Sequence, residues 1–109
     1  MLFKDVKDMI AEIGLPYAYY AFPENTEQDP PYVIFWYPQN DDYVVDDQNY
    51  IHITVLYVEL YTSHKNTALE NTVEAVLKEH EMVYEKAEES IDSELLTLVR
   101  YSMEVIINA

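Results

Sequence analysis

The chain contains no cysteine, a single glycine and only six basic residues among its 109 residues. The lack of cysteine excludes disulfides, thiolate chemistry and Cys-based zinc sites. One glycine, Gly14, is too few for the phosphate-binding loops that need several glycines. The basic residues are scattered, while 21 acidic residues bring the formal net charge to −15. We therefore expect no sequence-specific nucleic-acid partner and no membrane partner, because both would need clustered positive charge.

Half of the residues are apolar, and eleven are tyrosines. A chain of this length and apolar content is typical of one domain, residues 1–109. No apolar run approaches the roughly 18 residues of a membrane-spanning helix. Tyrosine combines a large apolar ring with a polar tip, which suits half-buried sheet faces and protein interfaces.

Apolar residues recur at helical spacing in two segments, residues 2–13 and 66–80. Gly14 follows the first helix at a position typical of a left-handed C-cap, and Asn66 is placed to cap the second helix. The predicted apolar stripes are Leu2, Val6, Met9, Ile10 and Ile13 in the first helix, and Leu69, Val73, Val76 and Leu77 in the second. The predicted solvent face of the second helix consists of Glu70, Glu74, Lys78 and Glu79.

Strand patterns occupy most of the remaining sequence. The predicted strands cover residues 17–22, 32–37, 50–62, 82–86 and 95–107, with a further short strand at 43–45 and an acidic turn at 88–92. The order α-β-β-(β)-β-α-β-β predicts an α+β fold with a mainly antiparallel sheet and two helices packed on one face.

No arrangement of residues indicates catalysis. None of the serines lies in a strand-to-helix elbow, and His52, His64 and His80 lie on different predicted elements without the spacing of helical zinc ligands. The adjacent acids at 41–42 and 46–47 lack the spacing of a calcium loop and are interpreted as solvated loops. We predict no enzyme activity, no catalytic residue, no cofactor and no metal site.

The order of sequence blocks nevertheless resembles a known family. The blocks are "GLPYAYYAF" after the first helix, "PPYVIFWYP", "VVDDQNYIHITVLYVELYT", the Glu-rich stretch "KNTALENTVEAVLKEHEMVYEKAEESIDSELL", and a long closing strand. Over nearly its full length the chain resembles the tail terminators, the small tail-completion proteins of long-tailed bacteriophages and prophages.

This resemblance implies an α+β subunit of a ring, usually a hexamer, which ends tail-tube polymerisation at the head-proximal end of the tail. The implied partners are further copies of the chain, the tail-tube protein and head-tail connector proteins. The implied location is the virion tail, reached from the host cytoplasm during assembly. The aromatic strand and the acidic turns are the candidate subunit interface: Tyr32, Ile34, Trp36, Asp41, Asp42, Asp46 and Asp47.

Two alternatives remain open at this point. A head-tail connector or head-completion protein also forms rings, and sequence alone barely separates it from a terminator. An acidic inhibitor that mimics DNA would explain the charge but would be a monomer or dimer. If the chain forms a ring, the net charge of each copy predicts strong mutual repulsion, so salt or divalent cations should favour assembly.

Overall fold

The computed structural model describes residues 1–24, 26–40, 43–44, 50–51 and 53–107. In chain order the elements of these residues are helix α1 (Phe3–Ala11), β1 (Tyr17–Tyr19), β2 (Tyr32–Asn40), β3 (Tyr43–Val44), β4 (Tyr50–Ile51), β5 (Ile53–Thr62), helix α2 (Thr67–Glu79), β6 (Tyr84–Ile91), a 3₁₀ turn (Asp92–Glu94) and β7 (Leu96–Ile106).

Five strands form one sheet in the order β1-β2-β5-β7-β6, and β3 pairs with β4 separately. The pairs β2–β5, β5–β7 and β6–β7 are antiparallel, whereas the short β1 runs parallel to β2. The predicted α+β class with a mainly antiparallel sheet is confirmed. The sheet has two outer edges among the described residues, β1 on one side and β6 on the other.

Both helices pack on the same face of this sheet. Apolar side chains of α1 and α2 form one buried cluster with alternate residues of β2, β5 and β7. This alternation follows from the strand period of two, which sends every second side chain to the same face. The buried cluster includes Val6, Met9 and Ile10 of α1, Val73 and Leu77 of α2, and Val33, Phe35, Leu56, Val58, Leu60, Val99, Tyr101 and Met103 of the sheet.

The helix ends explain where each helix begins and stops. The Asp5 carboxylate accepts a hydrogen bond from the backbone N–H of Leu2 at 2.7 Å, and the Asn66 side chain accepts one from Leu69 at 3.0 Å. Such bonds satisfy backbone donors that a first helical turn leaves without partners. The predicted cap at Asn66 is confirmed. Gly14 has φ +84°, the predicted left-handed conformation, and lies two residues beyond the C-cap Glu12.

Several predicted boundaries are wrong. Strand β6 continues to Ile91 through the segment 88–92 that was expected to turn, and the chain reverses only at residues 92–95. Most of β6 is exposed, because it is an edge strand, so its Glu-rich sequence looks like a turn. Strand β2 passes Pro38 with a register shift between Trp36 and Gln39, and β1 ends at Tyr19 because Tyr20 has φ +69°.

The predicted solvent face of α2 is also wrong at one position. Glu70 is only 2% exposed, and its carboxylate lies 2.8 Å from the ammonium groups of both Lys65 and Lys86. Lys86 also contacts Glu74 at 2.9 Å, and the Tyr101 hydroxyl donates to Glu74 at 2.8 Å. These contacts fasten the edge strand β6 to helix α2.

Candidate subunit interface

The sheet face opposite the helices carries the sequence-predicted aromatic residues. No helix of the described residues packs on this face, which we call the open face. Its members alternate with the core residues along β2, β5 and β7, and the register aligns them in rows across the strands. The open face contains Tyr32, Ile34 and Trp36 of β2, Tyr57, Glu59 and Tyr61 of β5, and Leu98 and Arg100 of β7.

One aromatic group lies near the start of β2. The Tyr32 ring stacks on Tyr61 with centroids 5.0 Å apart, and Phe22 meets Tyr32 edge-on at 5.4 Å. Tyr32 and Tyr61 are half-buried, so each ring still presents area to an incoming surface. Rigid aromatic rings that are partly exposed are typical of protein contact surfaces.

A second aromatic group lies further along the same strands. Trp36 meets Tyr57 edge-on at 5.3 Å, and Tyr20 packs against Trp36 at 5.8 Å while remaining 69% exposed. The Arg100 guanidinium lies over the Tyr57 ring, 4.9 Å from its centroid, in cation–π geometry. The open face therefore has two aromatic groups with charged residues between them.

A buried carboxylate lies between the two groups. Glu59 is 4% exposed and accepts hydrogen bonds from Arg100 Nε at 2.7 Å, Trp36 Nε1 at 3.1 Å and the Tyr61 hydroxyl at 3.3 Å. Arg100 Nη2 lies 2.6 Å from the same carboxylate. Because each Glu59 contact comes from a different strand or ring, the ion pair fixes the side chains of the open face relative to one another.

Two tyrosines of this face, Tyr32 and Tyr61, have raised pKa values. Burial, followed by the negative charge of Glu59, raises the pKa of Tyr61 to about 12. Burial and the charge of Glu94 also raise the pKa of Tyr32. Both hydroxyls therefore stay protonated near neutral pH, and the single proton of the Tyr61 hydroxyl is donated to Glu59.

The structure brings together three of the seven residues predicted as the interface. Tyr32, Ile34 and Trp36 share the open face, where Tyr32 and Trp36 are half-buried and Ile34 is buried. The other four, Asp41, Asp42, Asp46 and Asp47, lie outside the described residues. His52 also lies outside them, whereas His64 precedes α2 and His80 follows it, in contact with Glu12, the C-cap residue of α1.

Sequence reasoning missed the Glu59–Arg100 pair. Two signals were present in the sequence, since Glu59 is a lone acid in the otherwise apolar stretch 56–61 and Arg100 is a lone cation in the last strand. Neither position could be paired without the β5–β7 register, in which Glu59 lies opposite Arg100.

Comparison with protein-family models and with curated proteins finds no match for this chain. Among the described residues, neither helix is long and apolar enough to cross a membrane. The same described residues contain no group of three or more acidic, histidine or cysteine side chains that could hold a metal ion.

Proposed function

We propose that this chain is a structural phage or prophage protein similar to the tail terminators. It forms a ring at the head-proximal end of the tail and ends tail-tube polymerisation. The proposal is supported by the order of sequence blocks described above and by the open face of the sheet. That face provides half-exposed aromatic rings fixed around the Glu59–Arg100 ion pair, an arrangement typical of a surface that receives another protein.

The open face is the surface through which this protein contacts another protein of the tail, the tail-tube protein. Tyr32 and Trp36 provide aromatic anchors, and the Tyr61 hydroxyl, which donates to Glu59, can accept a hydrogen bond from the partner. Burying such rings is favourable at about 25 cal/mol per Å² of apolar area removed from water.

The test is polymerisation of the purified tail-tube protein of the same phage, with and without this chain. We expect the chain to shorten the tubes and to be found at one tube end by electron microscopy. Replacement of Tyr32 by Ser should weaken this effect, whereas Leu2→Ser, which alters an exposed apolar residue at the N-cap of α1, should leave it unchanged.

Tubes of unchanged length in the presence of the wild-type chain would refute the proposal. Binding to the head-tail connector in place of the tube would instead favour the connector alternative. A monomer that inhibits a host DNA-binding protein would favour the DNA-mimic alternative.

A further inference from the structure

A groove runs along the β1–β2 edge of the sheet beside the start of α1. Its volume is about 770 Å³, and four of its eight lining residues are aromatic. Phe3 and Tyr19 are each more than half exposed, so the groove offers apolar area that the described residues do not bury. We call it the edge groove; its principal lining residues are Phe3, Lys4, Lys7, Tyr19, Phe35 and Tyr37.

The edge groove carries positive charge, although the protein as a whole is strongly acidic. Lys4 and Lys7 both line it and are exposed. The ion-pair partner of Lys4 in its own helix is Asp8, at 3.5 Å, and a pair this exposed contributes little. Three of the other four basic residues are held by carboxylates elsewhere in the fold: Lys65, Lys86 and Arg100.

Residues 81–85 present the opposite chemistry at the surface. Val83 is 89% exposed, although it is apolar, and exposed acids lie two residues away on each side, Glu81 and Glu85. Glu81 has φ +58°, so the chain turns sharply out of α2 before β6 begins at Tyr84. We call residues 81–85 the Val83 segment.

The sheet topology places these two features on opposite edges. The edge groove lies against β1 and β2, and the Val83 segment leads into β6 at the far side of the order β1-β2-β5-β7-β6. The edge groove and the Val83 segment also lie at similar positions along the strand direction. Thr54, which lines the groove, pairs with Val105, and Tyr84 pairs with Met103, two residues away on the same strand.

We propose that the Val83 segment of one copy docks in the edge groove of the next copy. Val83 enters the aromatic groove, and Glu81 and Glu85 meet Lys4 and Lys7. Because the two surfaces differ, the contact is head-to-tail, and repeating it generates a closed ring when the rotation between copies closes. The inference rests on the proposed ring-forming function and assigns the contact between copies to the sheet edges, which leaves the open face for other tail proteins.

Charge reversal tests this assignment by sedimentation velocity, at concentrations up to millimolar and at physiological salt. The groove variant is Lys4→Glu with Lys7→Glu, and the segment variant is Glu81→Lys with Glu85→Lys. Each variant alone brings like charges together, so its association constant should fall by at least about 100-fold. An equimolar mixture of the two should recover assembly, because every contact between unlike copies again joins opposite charges.

Two single variants separate the apolar part of the contact from the charges. Val83→Ser should weaken assembly, whereas Leu95→Ser, which alters a residue that is 80% exposed in the connection between β6 and β7, should not. Circular dichroism melts of all variants check that each remains folded.

Variants that assemble like the wild type, or a mixture that stays monomeric, would overturn the inference. A wild-type chain that stays monomeric at millimolar concentration would overturn it as well. The tube-length assay decides the proposed function separately, since rings formed through another surface would still end tubes.

Discussion

Replacement of Arg100 by Met removes the cation that faces the buried Glu59 carboxylate. Glu59 is 4% exposed, so after the change its charge would be solvated only by the neutral donors Trp36 Nε1 and the Tyr61 hydroxyl. Breaking a buried ion pair by removing one partner costs about 3–5 kcal/mol, and the two remaining donors place the expected loss near the lower value. Methionine keeps much of the side-chain volume, so the loss reflects the charge.

Urea unfolding, followed by circular dichroism, measures this loss. With a slope of about 1.5 kcal/mol per M for a small domain, a loss of about 3 kcal/mol lowers the midpoint by about 2 M. The double variant Glu59→Gln with Arg100→Met removes the buried charge but keeps an acceptor for Trp36 and Tyr61. It should therefore regain most of the stability.

The matched control is Lys78→Met, which removes an exposed cation from α2 and should change stability by no more than about 0.5 kcal/mol. A loss below about 1 kcal/mol for Arg100→Met would refute the reasoning. So would a double variant as unstable as the single one, because the cost would then not come from an uncompensated carboxylate.

Four further predictions concern the helix side of the sheet, the first helix and assembly. Burial alone would raise the pKa values of Glu70 and Glu74. Hydrogen bonds from lysine ammonium groups outweigh the effect of burial and hold both pKa values below the ordinary 4.5, and Lys86 is bonded to both carboxylates. A carboxyl group whose pKa is lowered by folding stabilises the folded state at pH values above its unfolded pKa. Thermal melts should therefore show stability falling as the pH drops below about 4.5. The loss of stability over this pH range should be smaller in Lys86→Met. Tyr101→Phe removes the hydroxyl that donates to Glu74 at 2.8 Å and should cost about 2 kcal/mol in urea unfolding; an unchanged midpoint would contradict this role. Gly14→Ala should cost about 1 kcal/mol by the same measurement, since the added Cβ meets nothing within 4 Å and only the backbone at φ +84° is strained. Sedimentation of the wild type should show assembly strengthening with ionic strength, because the repulsion between whole copies of charge −15, which salt screens, exceeds the attraction of the few Lys–Glu contacts at the edge groove; weakening with salt would refute this prediction.

The elements whose positions follow from local chemistry could be predicted from the sequence. Helix α2 begins at its predicted cap, Asn66, and Val73, Val76 and Leu77 are buried as the 3.6-residue period requires. Tyr32 and Trp36 fall on one face of β2 because alternate strand residues must.

Features that depend on partners far apart in the chain could not be predicted. Glu70 has the spacing of a solvent-exposed residue, yet lysines from the loop before α2 and from β6 enclose it. Strand β6 is exposed along most of its length, so its sequence carries no apolar alternation to separate it from a turn. The open face likewise becomes a single surface only when β2, β5 and β7 are brought side by side.

The attachment of β6 to α2 has a consequence for how this edge behaves in solution. Edge strands ordinarily fray, because only one of their sides is hydrogen-bonded to the sheet. Here Lys86 reaches two carboxylates of α2, the Tyr84 hydroxyl donates to Glu74 at 3.2 Å, and Lys65 pairs with Glu88. These links tie the strand to α2 and to the loop before it at Tyr84, Lys86 and Glu88. A surface that is already ordered loses little conformational entropy when it binds, so this edge is preorganised for contact.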